Sequence, residues 1–445
     1  MEKINVLKNG LRVVLVPCEA QSVAFGLFIG SGSRHETAET AGISHFIEHM
    51  LFKGTPTRTP LMITQEIEGR GGNFNACTGE ESTAYYTHMP YEYLEESVDI
   101  ISDMYLHATI PKEEFLRERE VVIEEIKMYA DEPDSVAAEN LQRALFPKSR
   151  LGAPVAGSAA SLKRLKPADL RRYVKSHYLP DNTVAVVVGR FDEAEALKLI
   201  AKRLGTFRRP GRAVVCDRAL AGKPVREVTA SKDVQQMQLA LGYRTFGVGD
   251  PRKYAATVFD AVMGRGMSSR LFQEVREKRG LSYDITSRMQ FFEDAGMWAV
   301  AAGLDAKKGP LALQTIDREL KRICEKNVSA DELRRTKEFL VGNFRLSHER
   351  ITSKLFFYGS TMLAFGRLMD PEEQVEGIRA VTARDVRDVA RAILDPKNRA
   401  VSWVAGGEEL ARLSGYGGGI SAFRRRLEDT VRETRQKRRK GGRGR

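Results

Sequence analysis

Two stretches of sixteen residues, 218 positions apart, carry one pattern. Pro111–Ile126 reads PKEEFLREREVVIEEI and Ser329–Phe344 reads SADELRRTKEFLVGNF. The elements around them also come in one order. Strand-like runs at Leu11–Val16 and Val23–Phe28 answer to the strand-rich stretch Glu227–Tyr243. A helix follows in each half, then strands (Phe74–Met89; Ser282–Leu304), a further helix (Glu92–Leu106; Leu311–Lys326) and the repeated helix itself. A duplicated chain is the simplest source of this order. Between the copies, Phe207–Val225 is broken by proline and charge and holds no period, so it reads as a linker. The expected division is 1–206, linker 207–225, second domain 226–420 and a basic tail 421–445, the last expected to be disordered.

The copies differ in their chemistry. In the first, Ala41–Thr55 (AGISHFIEHMLFKGT) has Ile43, Phe46, Ile47, Met50 and Leu51 at helical spacing. On that helix His45 and His49 lie four apart and share a face, with Glu48 beside them. Two imidazoles suit zinc and an adjacent carboxylate suits a general base; the order H-x-x-E-H is that of the inverted zinc peptidases. The motif alone leaves open that both histidines are plain surface residues, and catalytic zinc needs a third protein ligand. The repeated helix offers Glu118, Glu120, Glu124 and Glu125. In the second copy the 218-residue offset puts Thr336 at the place of Glu118 and Asn343 at that of Glu125, and Pro251–Gly266 contains neither histidine nor glutamate.

Composition narrows the setting. The chain has 445 residues, 42% of them hydrophobic, enough for two domains with proper cores. No apolar run is long enough to span a bilayer. The N-terminal run is short, charged and strand-like, so no signal peptide is read and the expectation is cytoplasmic. Cys18, Cys77, Cys216 and Cys324 are far apart in sequence and form no C-x-x-C, which argues against a disulfide framework. Of the net charge of +12, about +8 falls within 421–445. Basicity is therefore a property of the tail, and nucleic-acid contact would be at most nonspecific.

HFIEHMLFKGT, GGNFNACT and REREVVIEEIKMYADEP together resemble the pitrilysin/insulinase family of zinc peptidases. Within it, the processing-peptidase-like bacterial members and the mitochondrial processing peptidase β subunit are most similar. The resemblance covers the chain to about Ala405. It implies an α+β fold of two homologous α/β domains, each a mostly antiparallel sheet with helices packed on one face. It implies one Zn2+ per chain on His45, His49 and Glu125, the last 76 residues beyond the second histidine, with Glu48 activating the water. It makes Glu118, seven residues earlier, a partner that orients a ligand histidine. Asn75, Ala76 and Thr78 match the family's edge strand that takes an extended peptide by strand addition. In REKRGLSY, Arg276 and Tyr283 match a substrate-contacting pair, with Arg279 the weaker candidate. Family subunits of this size pair to enclose a peptide chamber, so the expected partners are peptide substrates and a second copy of this chain, or a related chain. The rival expectation is a non-catalytic structural or partner subunit, which in this family commonly lacks part of the metal motif.

Overall fold

The central strands explain why the halves build sheets. Ser22–Ile29 (SVAFGLFI) and Thr183–Gly189 (TVAVVVG) are β-branched and apolar, and nearly every side chain is buried. Such runs suit strands covered on both faces. The computed structural model describes residues 3–208 and 216–415. The expected tail, and positions 209–215 of the expected linker, lie outside the described residues.

The first half contributes strands β1 (Lys3–Val6), β2 (Arg12–Pro17), β3 (Ser22–Ile29), β4 (Asn73–Thr78), β5 (Thr83–Pro90) and β6 (Thr183–Gly189). Its helices are α1 (Ile43–Leu51), α2 (Pro60–Glu68), α3 (Leu94–His107), α4 (Lys112–Asp131), α5 (Pro133–Leu145), α6 (Ala159–Arg164), α7 (Pro167–His177) and α8 (Glu193–Leu204). The second half contributes β7 (Glu227–Ser231), β8 (Met237–Thr245), β9 (Ser282–Phe291), β10 (Gly296–Leu304) and β11 (Arg399–Ala405). Its helices are α9 (Lys253–Gly264), α10 (Gly309–Glu325), α11 (Ala330–His348), α12 (Ile351–Phe365), α13 (Pro371–Ala380), α14 (Ala383–Ile393) and α15 (Gly407–Gly415). Among the described residues, no helix is long and apolar enough to cross a membrane.

Apart from the extra edge strand β1 of the first, the two sheets repeat one topology. The first runs β1-β2-β6-β3-β5-β4 and the second β7-β11-β8-β10-β9. β2 is parallel to β6 and β7 to β11, while the other pairings are antiparallel. The repeated sixteen residues lie in α4 and α11 and occupy corresponding places. This is the α+β fold of two similar sheet-and-helix halves that the resemblance implies.

Each sheet takes its own helices on one face. In the first, Leu11, Val13, Phe25 and Leu27 meet α1, α3, α4, α7 and α8 in one core. In the second, Leu239, Leu241 and Trp298 meet α9, α10, α11 and α14. The opposite faces are covered by a helix from the other half. α12 lays Leu355, Tyr358 and Met362 on Val14, Ala24, Phe28 and Val186 of the first sheet. α5 lays Ala137, Leu141 and Leu145 on Ala240, Ala400 and Val404 of the second. α5 thus falls in the first domain by position and packs with the second sheet. Close approach explains two glycines: a Cβ on Gly359 would lie 2.5 Å from Phe28, and one on Gly242 of β8 would lie 3.0 Å from Leu141.

The described end of the linker is strapped down. Ala219 is buried in the α5 core. The Arg34 guanidinium, almost fully buried, donates to Glu81 (2.5 Å), to the Asp217 carbonyl (2.7 Å) and to Asp294 (2.7 Å). It joins the β4–β5 turn, the strap and the β9–β10 turn.

Candidate metal centre

α1 is held at its start by an unusual cap. Gly42 sits at φ +89°, and a Cβ there would lie 2.5 Å from the Ala156 carbonyl oxygen. The buried Glu36 carboxylate accepts from the amides of Gly42 (2.7 Å) and Ser44 (2.9 Å). That places negative charge at the positive end of the helix dipole. Burial pushes the Glu36 pKa up to about 7, against the pull of those hydrogen bonds and of Arg150. Ile43, Phe46, Ile47, Met50 and Leu51 fill the core, which leaves His45, Glu48 and His49 half-buried on the other side.

α4 crosses α1 with Phe115 against Phe46, ring centres 4.8 Å apart. Three and seven residues further along come Glu118 and Val122, both buried, and beside them Glu125. Glu125 Oε2 lies 3.8 Å from His45 Nε2 and 3.5 Å from His49 Nε2. Among the described residues these three side chains form the one group of histidine, cysteine or acidic residues placed to share a metal ion, their donor atoms all within 4.8 Å of one another. Two imidazole nitrogens and a carboxylate oxygen, with solvent on one side, suit a catalytic zinc that keeps an open position. The residues present therefore fit the ion. Glu124, the nearest competitor, is 69% exposed and paired with Lys127 at 2.7 Å.

The two histidines differ in their outer partners. His49 Nδ1 lies 3.2 Å from Glu118 Oε2, and Lys53 Nζ reaches Glu118 Oε1 at 2.6 Å. His45 Nδ1 is buried with no hydrogen-bond partner among the described residues. Burial lowers the His45 pKa, and His49 adds to that. Burial alone would also depress His49, but the Glu118 bond and the Glu125 charge outweigh it and hold the pKa above its ordinary value. Glu118 would be raised by burial; the bonds from His49 and Lys53 lower it instead.

Glu48 is raised by burial, opposed by a hydrogen bond from Thr78. Thr78 Oγ1 donates to Glu48 Oε2 at 2.5 Å. Thr78 ends β4, the edge strand, whose other side carries no strand among the described residues. Asn75 lies exposed and Ala76 half-buried along that edge. So β4 brings Asn75, Ala76 and Thr78 beside α1, with the Thr78 side chain bonded to Glu48.

Arg276 and Tyr283 belong to the second half of the chain. Arg276 stands in a π-helical turn, Phe272–Glu277, and its guanidinium covers the Tyr283 ring at 5.1 Å and the Phe272 ring at 4.7 Å. Tyr283 is 77% exposed at the start of β9. No hydrogen bond or ion pair among the described residues links either to the triad. Arg279 is engaged by Glu274 at 2.6 Å. In the second half the helix matching α1 holds a structural node instead: Asp260 Oδ1 accepts from Ser287 (2.6 Å) and Trp298 (2.9 Å), and Oδ2 stands 2.9 Å from the Arg265 guanidinium as an ion pair.

Sequence reasoning missed Lys53, which follows His49 by four residues, and Glu36 and Arg34, whose partners come from other elements. A lysine at the end of a helix carries no signal in the sequence beyond the favourable dipole position.

Comparison with known proteins agrees with this picture. Residues 12–159 match the family described as Insulinase (Peptidase family M16) and residues 164–340 the one described as Peptidase M16 inactive domain. The uncharacterized zinc protease YmxG of Bacillus subtilis is 35% identical over 88% of this chain and 96% of its own length. Among solved structures, a protease from Helicobacter pylori superposes with a TM-score of 0.86 at 20% identity, covering 91% of this chain and 99% of that one. A peptidase M16 inactive domain from Pseudomonas fluorescens gives 0.84 at 18%, covering 91% and 98%. With matched segments over most of its length and a relative of that identity, the chain belongs to the insulinase family, peptidase family M16.

Proposed function

We propose that this chain is a zinc-dependent endopeptidase that hydrolyses extended peptides inside a chamber formed by two copies. The observation that carries the reading is the meeting of three metal donors, His45, His49 and Glu125, with a carboxylate, Glu48, at the end of a free edge strand. Relatives named zinc proteases support the metal.

A peptide laid along β4 would pair its backbone with Asn75, Ala76 and Thr78, and main-chain pairing accepts many sequences. Bound zinc, one per chain, supplies Lewis-acid polarisation of the scissile carbonyl and a more acidic water. Glu48 Oε1 takes the proton of the attacking water and returns it to the leaving amine nitrogen as the C–N bond breaks. The Thr78 hydroxyl fixes the other oxygen of that carboxylate. Arg276 and Tyr283, already paired with each other, are suited to stabilise negative charge on the carbonyl oxygen. The pair belongs to the second half, which lacks a metal site of its own, and the family resemblance has such a pair face the zinc from the opposite half of the chamber, which favours action on the partner's centre. A chain with a donor at every metal position is better fitted to catalysis than to a purely structural role.

The test is product mass spectrometry on a random peptide pool. Parent protein with zinc should cut within peptides, and Glu48→Gln should retain zinc while losing about 100- to 10,000-fold in rate. A Glu48→Gln protein that cleaves at the parental rate would remove Glu48 from the mechanism. A zinc-loaded parent that cleaves nothing would favour the non-catalytic reading.

A further inference from the structure

We infer that Lys53 is a positioning residue for the metal centre: it locks the Glu118 carboxylate so that His49 presents Nε2, and not Nδ1, to the ion. The inference rests on the zinc reading above but concerns a residue outside the triad and the base.

Glu118 is buried, and a buried carboxylate needs both oxygens satisfied. Its Oε2 lies 3.2 Å from His49 Nδ1, and its Oε1 takes Lys53 Nζ at 2.6 Å. These two contacts hold both ends of the carboxylate. With Oε2 fixed as an acceptor, His49 carries its proton on Nδ1 and leaves the Nε2 lone pair facing Glu125. Without Lys53, Oε1 would lose its one charged donor and the carboxylate would be free to rotate away from the imidazole.

Chain geometry makes the reach possible. Phe52 caps α1 in a right-handed conformation, and the Lys53 amide bonds the Met50 carbonyl at 3.1 Å, so the helical path continues for one more residue. Lys53 therefore follows His49 by one helical turn on the same face. Gly54 then leaves the helical path at φ +106°. The Lys53 side chain is only 25% exposed, so its ammonium is committed to Glu118 rather than to water. His45 has no such arrangement: its Nδ1 has no partner among the described residues. The centre has one histidine braced from outside and one braced by packing alone.

The experiment uses the full chain with Lys53→Met, which keeps the apolar stem, and Lys53→Arg, which keeps the charge and the donors. Two quantities are read. One is zinc affinity, by competition with a chelating indicator. The other is the His49 tautomer in metal-free protein, at alkaline pH where the imidazole is neutral, from imidazole 15N shifts assigned with His49→Gln. Lys53→Met should lose about 10- to 100-fold in zinc affinity, the range for partners behind a ligand. Its His49 signal should shift away from a single Nδ1–H form, while Lys53→Arg restores most of both. A Lys53→Met protein with the parental tautomer and affinity overturns the inference. The tautomer is read without metal or substrate, so the inference can fail while peptide cleavage stands, and the reverse.

Discussion

Replacing one of two adjacent glutamates tests the geometry of the centre most directly. Glu125 and Glu124 are neighbours on α4 and so point about 100° apart. Glu125 Oε2 stands 3.5 and 3.8 Å from the two imidazole Nε2 atoms. Glu124 is 69% exposed and bound to Lys127. Zinc held by protein ligands in small domains binds with about 10–16 kcal/mol, so one ligand of four is worth roughly 2.5–4 kcal/mol. At about 1.4 kcal/mol per tenfold, Glu125→Gln should weaken zinc by about two to three orders of magnitude. Glu124→Gln removes an exposed, solvent-screened ion pair with no path to the metal and should leave zinc affinity within about twofold. Glu118→Gln should fall between, at about 10- to 100-fold. The assay is zinc competition against a chelating indicator at neutral pH, with melting temperature as the control for folding. Equal losses at 124 and 125, or parental affinity in folded Glu125→Gln, would refute the assignment of Glu125 as the third ligand.

Three further outcomes follow from other parts of the molecule. Glu48→Gln and Tyr283→Phe, each inactive alone, should regain up to about half the activity per mixed dimer when subunits exchange, because one of its two centres is then whole; no recovery with exchange confirmed by native mass spectrometry would place Arg276 and Tyr283 in cis or outside catalysis. His35 is held neutral by burial first and then by His177, its pKa lowered from 6.5 to about 4, with Nδ1 accepting from the Gly32 amide and Nε2 3.1 Å from Cys216 Sγ. The unfolded chain takes up a proton that the folded one refuses, so stability is full above pH 6.5 and declines as the pH falls toward about 4, by about 3 kcal/mol in all; urea titrations should show that slope reduced in His35→Gln, and an unchanged slope would contradict it. Leu355→Ala, at a fully buried site where α12 meets the first sheet, should cost about 2–5 kcal/mol and lower the melting temperature by about 2–5 °C for a unit of roughly 400 residues. Both tryptophans, Trp298 and Trp403, are in the second half, so their fluorescence should shift together with far-UV circular dichroism; a stationary fluorescence transition would show the halves to be uncoupled.

Much of the scaffold was legible because it is written locally. The apolar period of α1, the alternation in β5 and the prolines around α4 set those elements to within a few residues of their expected bounds. The motif H-x-x-E-H placed two donors, but helical periodicity could not choose among four glutamates on α4; the family resemblance named Glu125, and only its distances from His45 and His49 show it beside them. What sequence could not reveal depends on long-range contact. α12 (ITSKLFFYGSTMLAF) is apolar on nearly every side, and nothing in that pattern says which sheet it covers. Thr78 reads as one more residue of an edge strand until β4 and α1 are brought together. Lys53 reads as a solvated lysine until α4 brings Glu118 to it.

The exchange of α5 and α12 also sets a timetable for synthesis. The first sheet has its last strand once residue 189 has emerged, yet the helix that covers Phe28, Val184, Val186 and Val188 ends at residue 365. At roughly 5–20 residues per second, that face waits about 9–35 s on the ribosome for its cover. Meanwhile α5 is already made and its own platform, the sheet completed by β11, is still to come. A translational stall or premature stop between residues 205 and 236 would leave two apolar surfaces with nothing to shield them, and one as late as 350 would still leave the first sheet's face bare. Such fragments are natural clients for chaperones and for disposal, and codon usage that slows this interval would lengthen the exposure in direct proportion.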